Sequence, residues 1–253
     1  MKSNNFRGLV LNVLVLLMIS AMFFSFSARA DLEIGLRNDE AVITRLIGPV
    51  FRINEDLLIT EDLIKGVRLH PGDRIRTDTG GRIELTFPDQ SLIRLDEHTM
   101  LEITMISVDQ EFSRRNIGIR LLIGKTWANV KSIPNGTGTL SIASRTTVAD
   151  SRGAVFRMDV LENDVVIVKT YEDTVRLEFS PPPNAPDSKT TAGTPGNPIF
   201  RQGNHEKRNQ ILQSGNMLIA RSAGVVTRPF RFPLKVDICE WVLWNQEHDR
   251  IEK

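Results

Sequence analysis

The chain has 253 residues, of which 41% are hydrophobic and 25% are charged, and its formal net charge is +1. This length allows one or two domains with a substantial buried core. A nearly neutral chain lacks the basic patch that nucleic-acid binding requires, so we expect no nucleic-acid partner. Cys239 is the single cysteine, which excludes an internal disulfide. We expect it to be a small buried residue beside Ile238 and Trp241, with pairing to another chain as the alternative.

Residues 1–30 have the pattern of a secretory signal peptide. Lys2 and Arg7 precede an apolar run from Leu9 to Phe26, and Ala28-Arg-Ala30 supplies the small residues that signal peptidase reads. Cleavage there would remove three basic and no acidic residues, leaving a net charge of −2. The alternative is an uncleaved anchor, because the run is about as long as the shortest transmembrane helix. Only in that case is the membrane an expected partner.

A run of short β-strands is predicted up to Phe179. Alternating segments of about five residues are separated by turns of Gly, Pro, Asp and Asn. Ile83, Leu85 and Phe87, for example, share one face of a strand, as expected where one face covers a core. The predicted fold class is therefore all-β. The predicted strands are Ala41–Ile47, Arg68–His70, Arg74–Arg76, Arg82–Phe87, Leu92–Leu95, Leu101–Val108, Ile117–Ile123, Thr126–Val130, Leu140–Ala143, Thr146–Ala149, Val155–Val160, Val165–Thr170 and Val175–Phe179.

The tail is predicted to form a short helix. Trp241, Trp244 and His248 are spaced by three and four residues and form one stripe of a helix. We expect this stripe to dock on the β core, and a partner-binding helix is the alternative. The predicted segments are the signal peptide at 1–30, an N-terminal strand region at 31–65, a β domain at 66–179, an exposed proline-rich loop at 180–200, closing strands at 201–236 and a helical tail at 237–253.

The candidate catalytic groups are better explained by structural roles. Asp73, Asp89, Asp96 and Glu97 suggest the paired carboxylates of glycoside hydrolysis. However, Asp73 and Asp89 occupy turn positions, where Asp bonds nearby backbone amides. The four histidines lack metal-ligand spacing, and no serine has a recognisable base. We predict no catalytic residue, no metal site, no cofactor and no enzymatic activity.

Arginines are enriched between Arg74 and Arg152. Since Asp and Glu occupy the same strands, we expect cross-strand ion pairs on the solvent-facing side of the sheet. The less favoured hypothesis is that Arg74, Arg76 and Arg94 form a face that binds an anionic ligand or a partner, such as an envelope glycan or the acidic strand of a receptor.

Several blocks, in this order, resemble the FecR domain over roughly residues 41–220. They include a Gly-Asp before a strand, a Phe-x-Asp-x-Ser turn, an apolar-Gly-x-x-Trp-Ala unit and a later Arg-Gly-x-x-Phe unit. The residues that carry the resemblance are Gly72, Asp73, Thr77, Gly80, Phe87, Asp89, Ser91, Gly124, Trp127, Arg152, Gly153, Phe156 and Gly215. The family usually has Gly where Gln90 lies. A left-handed Gln there costs up to about 1 kcal/mol.

The resemblance implies a β-solenoid-like, twisted β architecture without known catalytic activity, in which these residues are structural. In the best-known family members, a cytoplasmic tail handles a sigma factor and the periplasmic part responds to an outer-membrane transporter. Only residues 1–8 precede the apolar run here, so we do not expect direct sigma-factor control. We expect an exported, periplasmic, stand-alone FecR-domain protein that binds a protein or cell-envelope component in envelope signalling. The alternatives are an envelope carbohydrate-active enzyme or module, and a membrane-anchored signal-transduction regulator.

Overall fold

The computed structural model describes residues 38–54, 59–179, 208–221, 225–233 and 237–251. The predicted signal peptide and the proline-rich loop at 180–200 lie outside the described residues. Within these ranges, no helix is both long enough and apolar enough to cross a membrane. The described residues form the strands β1 (Ala41–Ile47), β2 (Val50–Asn54), β3 (Ile59–Asp62), β4 (Arg68–Leu69), β5 (Arg74–Thr77), β6 (Arg82–Thr86), β7 (Leu92–Leu95), β8 (Thr99–Asp109), β9 (Arg114–Asn129), β10 (Thr137–Ala143), β11 (Thr147–Ser151), β12 (Val155–Val160), β13 (Val166–Glu172), β14 (Thr174–Phe179), β15 (Arg208–Gln213), β16 (Asn216–Ala220) and β17 (Phe230–Arg231), and the helix α1 (Glu240–Ile251).

The strands form two arrays, sheet A and sheet B, which share β9. Sheet A has the order β4–β1–β6–β7–β9–β12–β13–β16–β17. Sheet B has the order β3–β2–β5–β8–β9–β10–β11–β14–β15. Neighbouring strands are antiparallel except β9 and β10, which are parallel. The all-β fold with a short C-terminal helix, predicted from the sequence, is confirmed.

Apolar side chains of both sheets meet in one core. Ile83 and Leu85 of sheet A and Ile75 and Leu101 of sheet B are at most 1% exposed. Burying such a side chain contributes about 1.5–3 kcal/mol. Since successive side chains of a strand point to opposite faces, the residues between them lie on the outer face of each sheet. On sheet A this outer face includes Glu84. Helix α1 lies against this face.

The strand β9 passes from sheet B into sheet A. Its residues up to Ile123 pair with β8, whereas residues 124–129 pair with β12. Gly124 lies at the transition with φ +100. A Cβ at Gly124 would lie 2.5 Å from Thr99 Cα and 2.7 Å from the carbonyl oxygen of His98. Only glycine fits this backbone geometry and this space, which explains Gly124 in the FecR-like pattern.

We expect Gly124→Ala to lower the free energy of unfolding by at least about 2–3 kcal/mol, because the added methyl meets backbone atoms and strains a left-handed residue. Gly80→Ala is the matched control. Gly80 also has a positive φ, +73, but nothing lies within 4 Å of an added Cβ. Gly80→Ala should lower the free energy of unfolding by only about 1 kcal/mol. Urea unfolding of the two variants measures the difference, and equal losses would contradict this account of the strand crossing.

Candidate functional site

A buried arginine ties together three loop segments, two of which carry residues of the FecR-like pattern. Arg115 of β9 is 2% exposed, and its Nη1 donates to Asp89 Oδ2 at 2.5 Å. The same guanidinium donates to the carbonyl oxygens of Lys131 and Arg152, both at 2.6 Å. Asp89 Oδ1 also accepts a hydrogen bond from the backbone N of Ser91 at 3.0 Å. The prediction that Asp89 is a turn-forming residue is confirmed.

Other carboxylates considered for catalysis also have structural partners. Asp73 Oδ2 accepts a hydrogen bond from the backbone N of His70 at 2.8 Å, as expected of a turn residue. Asp96 forms ion pairs with Arg82 at 3.1 Å and Lys125 at 3.2 Å. In the described part of the chain, no group of three or more His, Cys, Asp or Glu side chains is placed to hold a metal ion.

Helix α1 covers the outer face of sheet A through buried charges. Arg94 of β7 is 0% exposed, although it lies on the face opposite the core. Its Nε donates to Glu84 Oε2 at 2.6 Å, and the two residues are direct cross-strand neighbours. Its Nη1 donates to Asp249 Oδ1 of α1 at 2.5 Å. The docking of the tail on the β core, predicted from the sequence, is confirmed.

Asp249 is the residue that joins α1 most firmly to the sheet. Besides Arg94, its carboxylate accepts hydrogen bonds from Trp127 Nε1 at 2.9 Å and Asn129 Nδ2 at 3.0 Å. The Arg94 guanidinium lies 5.8 Å from the ring centroid of Trp244, within cation–π range. All tryptophans of the chain lie at this interface: Trp127, Trp241 and Trp244.

Glu84 and Arg94 keep their charges at neutral pH. Desolvation favours the neutral form of Glu84, but hydrogen bonds from Thr44 and Arg94 outweigh it and hold the pKa of this carboxyl below its usual value. Desolvation likewise opposes the charge of Arg94, whereas Asp249 and Glu84 raise its pKa. A buried pair of this kind contributes little net stability, yet removing one partner leaves an uncompensated charge.

Cys239 is exposed, so the expectation of a buried cysteine is wrong. The residue precedes α1, and its Sγ is 3.9 Å from Arg157 Nη1. Its neighbour Ile238 is 56% exposed, whereas Trp241 is buried. The chain therefore turns inward only at the first turn of the helix, beyond the cysteine.

The structure separates the three arginines considered for partner binding. Arg74 and Arg76 are partly exposed on β5 in sheet B, where Arg74 pairs with Glu102 at 3.1 Å. Arg94 lies beneath α1 in sheet A and is not accessible to a partner in this arrangement. The Arg74–Glu102 pair has the expected cross-strand register. Arg94 and Arg115 are buried rather than solvent-facing, because a helix and three loop segments cover them. A binding role for Arg74 and Arg76 stays a prediction.

Sequence reasoning missed Asp249 and Arg115. Trp241, Asn245 and Asp249 are spaced by four residues, so one buried helix face could have been inferred from them. Arg115 carries no local signal, since its partners come from turns distant in sequence.

Comparison with known proteins gives a family match. Residues 73–176 match the family model described as "FecR protein". Two solved structures of a candidate anti-sigma factor from Parabacteroides distasonis ATCC 8503 are similar to this chain, with 15% and 14% sequence identity and a TM-score of 0.41. The similarity covers 62% of this chain and 59% of that one, so the chain spans less than two thirds of its length. No curated protein matches this chain at a significant level.

We expect Asp249→Ala to lower the free energy of unfolding by roughly 3 kcal/mol, because it removes a carboxylate partner from the buried Arg94. Urea unfolding followed by tryptophan fluorescence reports this interface directly. Glu247→Ala on the exposed side of α1 is the matched control and should change stability little. A loss no greater than that of the control would contradict a central role for Asp249.

We expect Glu84→Gln to destabilise the protein at neutral pH and to matter less in acid. The folded-state pKa lies below the ordinary value of 4.5, so the carboxylate's contribution is fully present above that pH. It is lost as the pH falls through the folded-state pKa. The difference in unfolding free energy between the wild type and Glu84→Gln should therefore shrink as the pH falls. Glu61→Gln, at a 61% exposed side chain, is the control, and a pH-independent difference for Glu84→Gln would refute the assignment.

Proposed function

The chain contains a FecR domain over residues 73–176, and from this premise we propose that it is an exported, non-enzymatic protein that binds a protein partner in envelope signalling. The family match supports the envelope signalling role. The signal-peptide pattern of residues 1–30 supports export to the periplasm. The structural roles of Asp73 and Asp89 favour binding over catalysis.

The observation that carries the proposal is the open edge of β15. This strand pairs with β14 on one side and, among the described residues, with no strand on the other. It has six residues, whereas the remaining outer strands of the described ranges have four (β3) or two (β4 and β17). Such an edge offers a row of amide and carbonyl groups to an extended segment of a partner, which supplies affinity through main-chain hydrogen bonds.

The exposure and the low charge of the β15 side chains suit pairing with a partner strand. Leu212 is buried in the core, whereas Ile211 on the opposite face is 67% exposed. Arg208 is the single charged residue of the strand, so β15 lacks the charges that usually protect an edge from pairing. A partner strand beside β15 would cover Ile211 and pair the edge.

We expect a photo-crosslinking amino acid at position 211 to capture one predominant envelope protein in intact cells. The same amino acid at position 64 is the matched control, because Ile64 is 66% exposed but lies outside the strands. Mass spectrometry of the adducts identifies the partner and the linked peptide. Identical adducts from both positions, or none from position 211, would contradict binding at β15.

A second arm tests the pairing itself. With the photo-crosslinker placed at Gln213, Ile211→Lys should abolish the adduct, since a charge at the edge disfavours strand addition. Ile64→Lys should leave it unchanged. An adduct that survives Ile211→Lys would show that the partner does not pair with this edge.

A further inference from the structure

A polar cleft of about 500 Å³ lies beside β1 and β6 of sheet A. Its lining comes from β1, β6 and β7 and from the loop segments that carry Lys65, Gln90 and Lys131. None of its lining residues belongs to β15, so the cleft is separate from the open edge of β15.

The strand β1 is irregular where it meets the cleft. Ile43 is opposite Leu85 and Arg45 is opposite Glu84, so the intervening Thr44 has no cross-strand partner. In a regular strand Thr44 and Arg45 would point to opposite faces. The bulge lets both reach Glu84 Oε1, Thr44 Oγ1 at 2.6 Å and Arg45 Nε at 3.1 Å. Bulges that redirect side chains in this way are enriched beside functional sites.

The cleft has an excess of positive charge. Arg45, Lys65 and Lys131 line it, against Glu84 as the single acidic lining residue. Glu84 does not neutralise them all, because its other oxygen accepts a hydrogen bond from the buried Arg94 at 2.6 Å. Within the described residues, Lys65 and Lys131 take part in no ion pair. Their ammonium groups are available to an anion.

The backbone holds both lysines in place. The backbone N of Lys131 donates to Ser91 Oγ at 3.1 Å, and its carbonyl accepts from Arg115 at 2.6 Å. The turn that carries Lys65 is tied to β1 by a hydrogen bond from Gly66 N to the Ile43 carbonyl at 2.8 Å. The main chain at both lysines is thus tied to the core, which suits a preorganised site.

The uncharged polar lining residues suit the hydroxyl groups of a sugar. Thr44 Oγ1 and Thr86 Oγ1 lie 2.9 Å apart, and the amide of Gln90 adds a donor and an acceptor. Leu92 also lines the cleft, but only 6% of it is exposed. Ligand sites commonly contain a few convergent polar groups in a volume of roughly 300–1,000 Å³.

We propose that this cleft binds a sugar that carries a phosphate or carboxylate group. Lys65 and Lys131 pair with the anionic group, and the threonine hydroxyls and the Gln90 amide bond the sugar hydroxyls. This ligand site goes beyond the proposed partner-binding function, and either proposal can fail without the other.

The test is calorimetric titration of the full chain with glucose 6-phosphate, glucuronate, glucose and inorganic phosphate. At least one of the two anionic sugars should bind about tenfold or more tightly than glucose, since charge-assisted hydrogen bonds to lysine supply the difference. Whichever binds more tightly identifies the anion. Inorganic phosphate should bind more weakly than the better anionic sugar, because it makes no contact through sugar hydroxyls. Absence of binding by both anionic sugars, equal binding of glucose, or equal binding of inorganic phosphate would overturn the proposal.

Matched double variants locate the binding. Lys65→Glu with Lys131→Glu should weaken anionic-sugar binding about tenfold or more. Arg228→Glu with Arg231→Glu changes the net charge equally at exposed positions outside the cleft and should leave binding unchanged. Lys65→Gln with Lys131→Gln removes the charges without reversing them and serves if the first variant does not fold. Wild-type affinity in a folded lysine variant, or an equal loss in the arginine variant, would place the ligand elsewhere.

Discussion

The passage of β9 from sheet B into sheet A is the constraint on which the rest of the structure depends. The two halves of this 16-residue strand pair with different neighbours, and one residue, Gly124, absorbs the change of direction. Both buried polar networks are attached to this strand. Arg115 in the first half gathers three loop segments, and Trp127 in the second half contacts α1. A change in the path of β9 would therefore disturb core, turns and helix together.

The outer face of sheet A is covered by a helix that binds through charge as well as apolar contact. Apolar side chains of similar size would stabilise such an interface as well or better. A carboxylate that accepts from Arg94, Trp127 and Asn129 sets the position of α1 more narrowly than apolar packing does, since each donor has a preferred direction. We infer that these charges fix where the helix lies.

Much of the fold was predictable, because alternation and turn residues are local signals. The strands, the helix at Trp241 and Trp244, and the turn role of Asp89 follow from such patterns. The burial of Arg94 does not follow from such patterns. A polar residue between Ile93 and Leu95 gives the same alternation whether its face of the sheet is exposed to water or covered by a helix. The segments 117–123 and 126–130 were predicted as two strands, since the bend at Gly124 interrupts the alternation of one continuous strand. The cleft was not predictable, because Thr44, Lys65 and Lys131 are brought together by a bulge and by distant turns.

The position of α1 after every strand has a consequence for the order of assembly. Sheet A can form before residues 240–251 reach it, and until then Arg94 is solvated and has Glu84 but not Asp249 beside it. If the helix docks last, the final step of folding is the dehydration of this guanidinium under the arriving helix. On that route, by microscopic reversibility, undocking of α1 readmits water at Arg94. Detachment of α1 would be a sub-global opening that leaves the core between the two sheets intact.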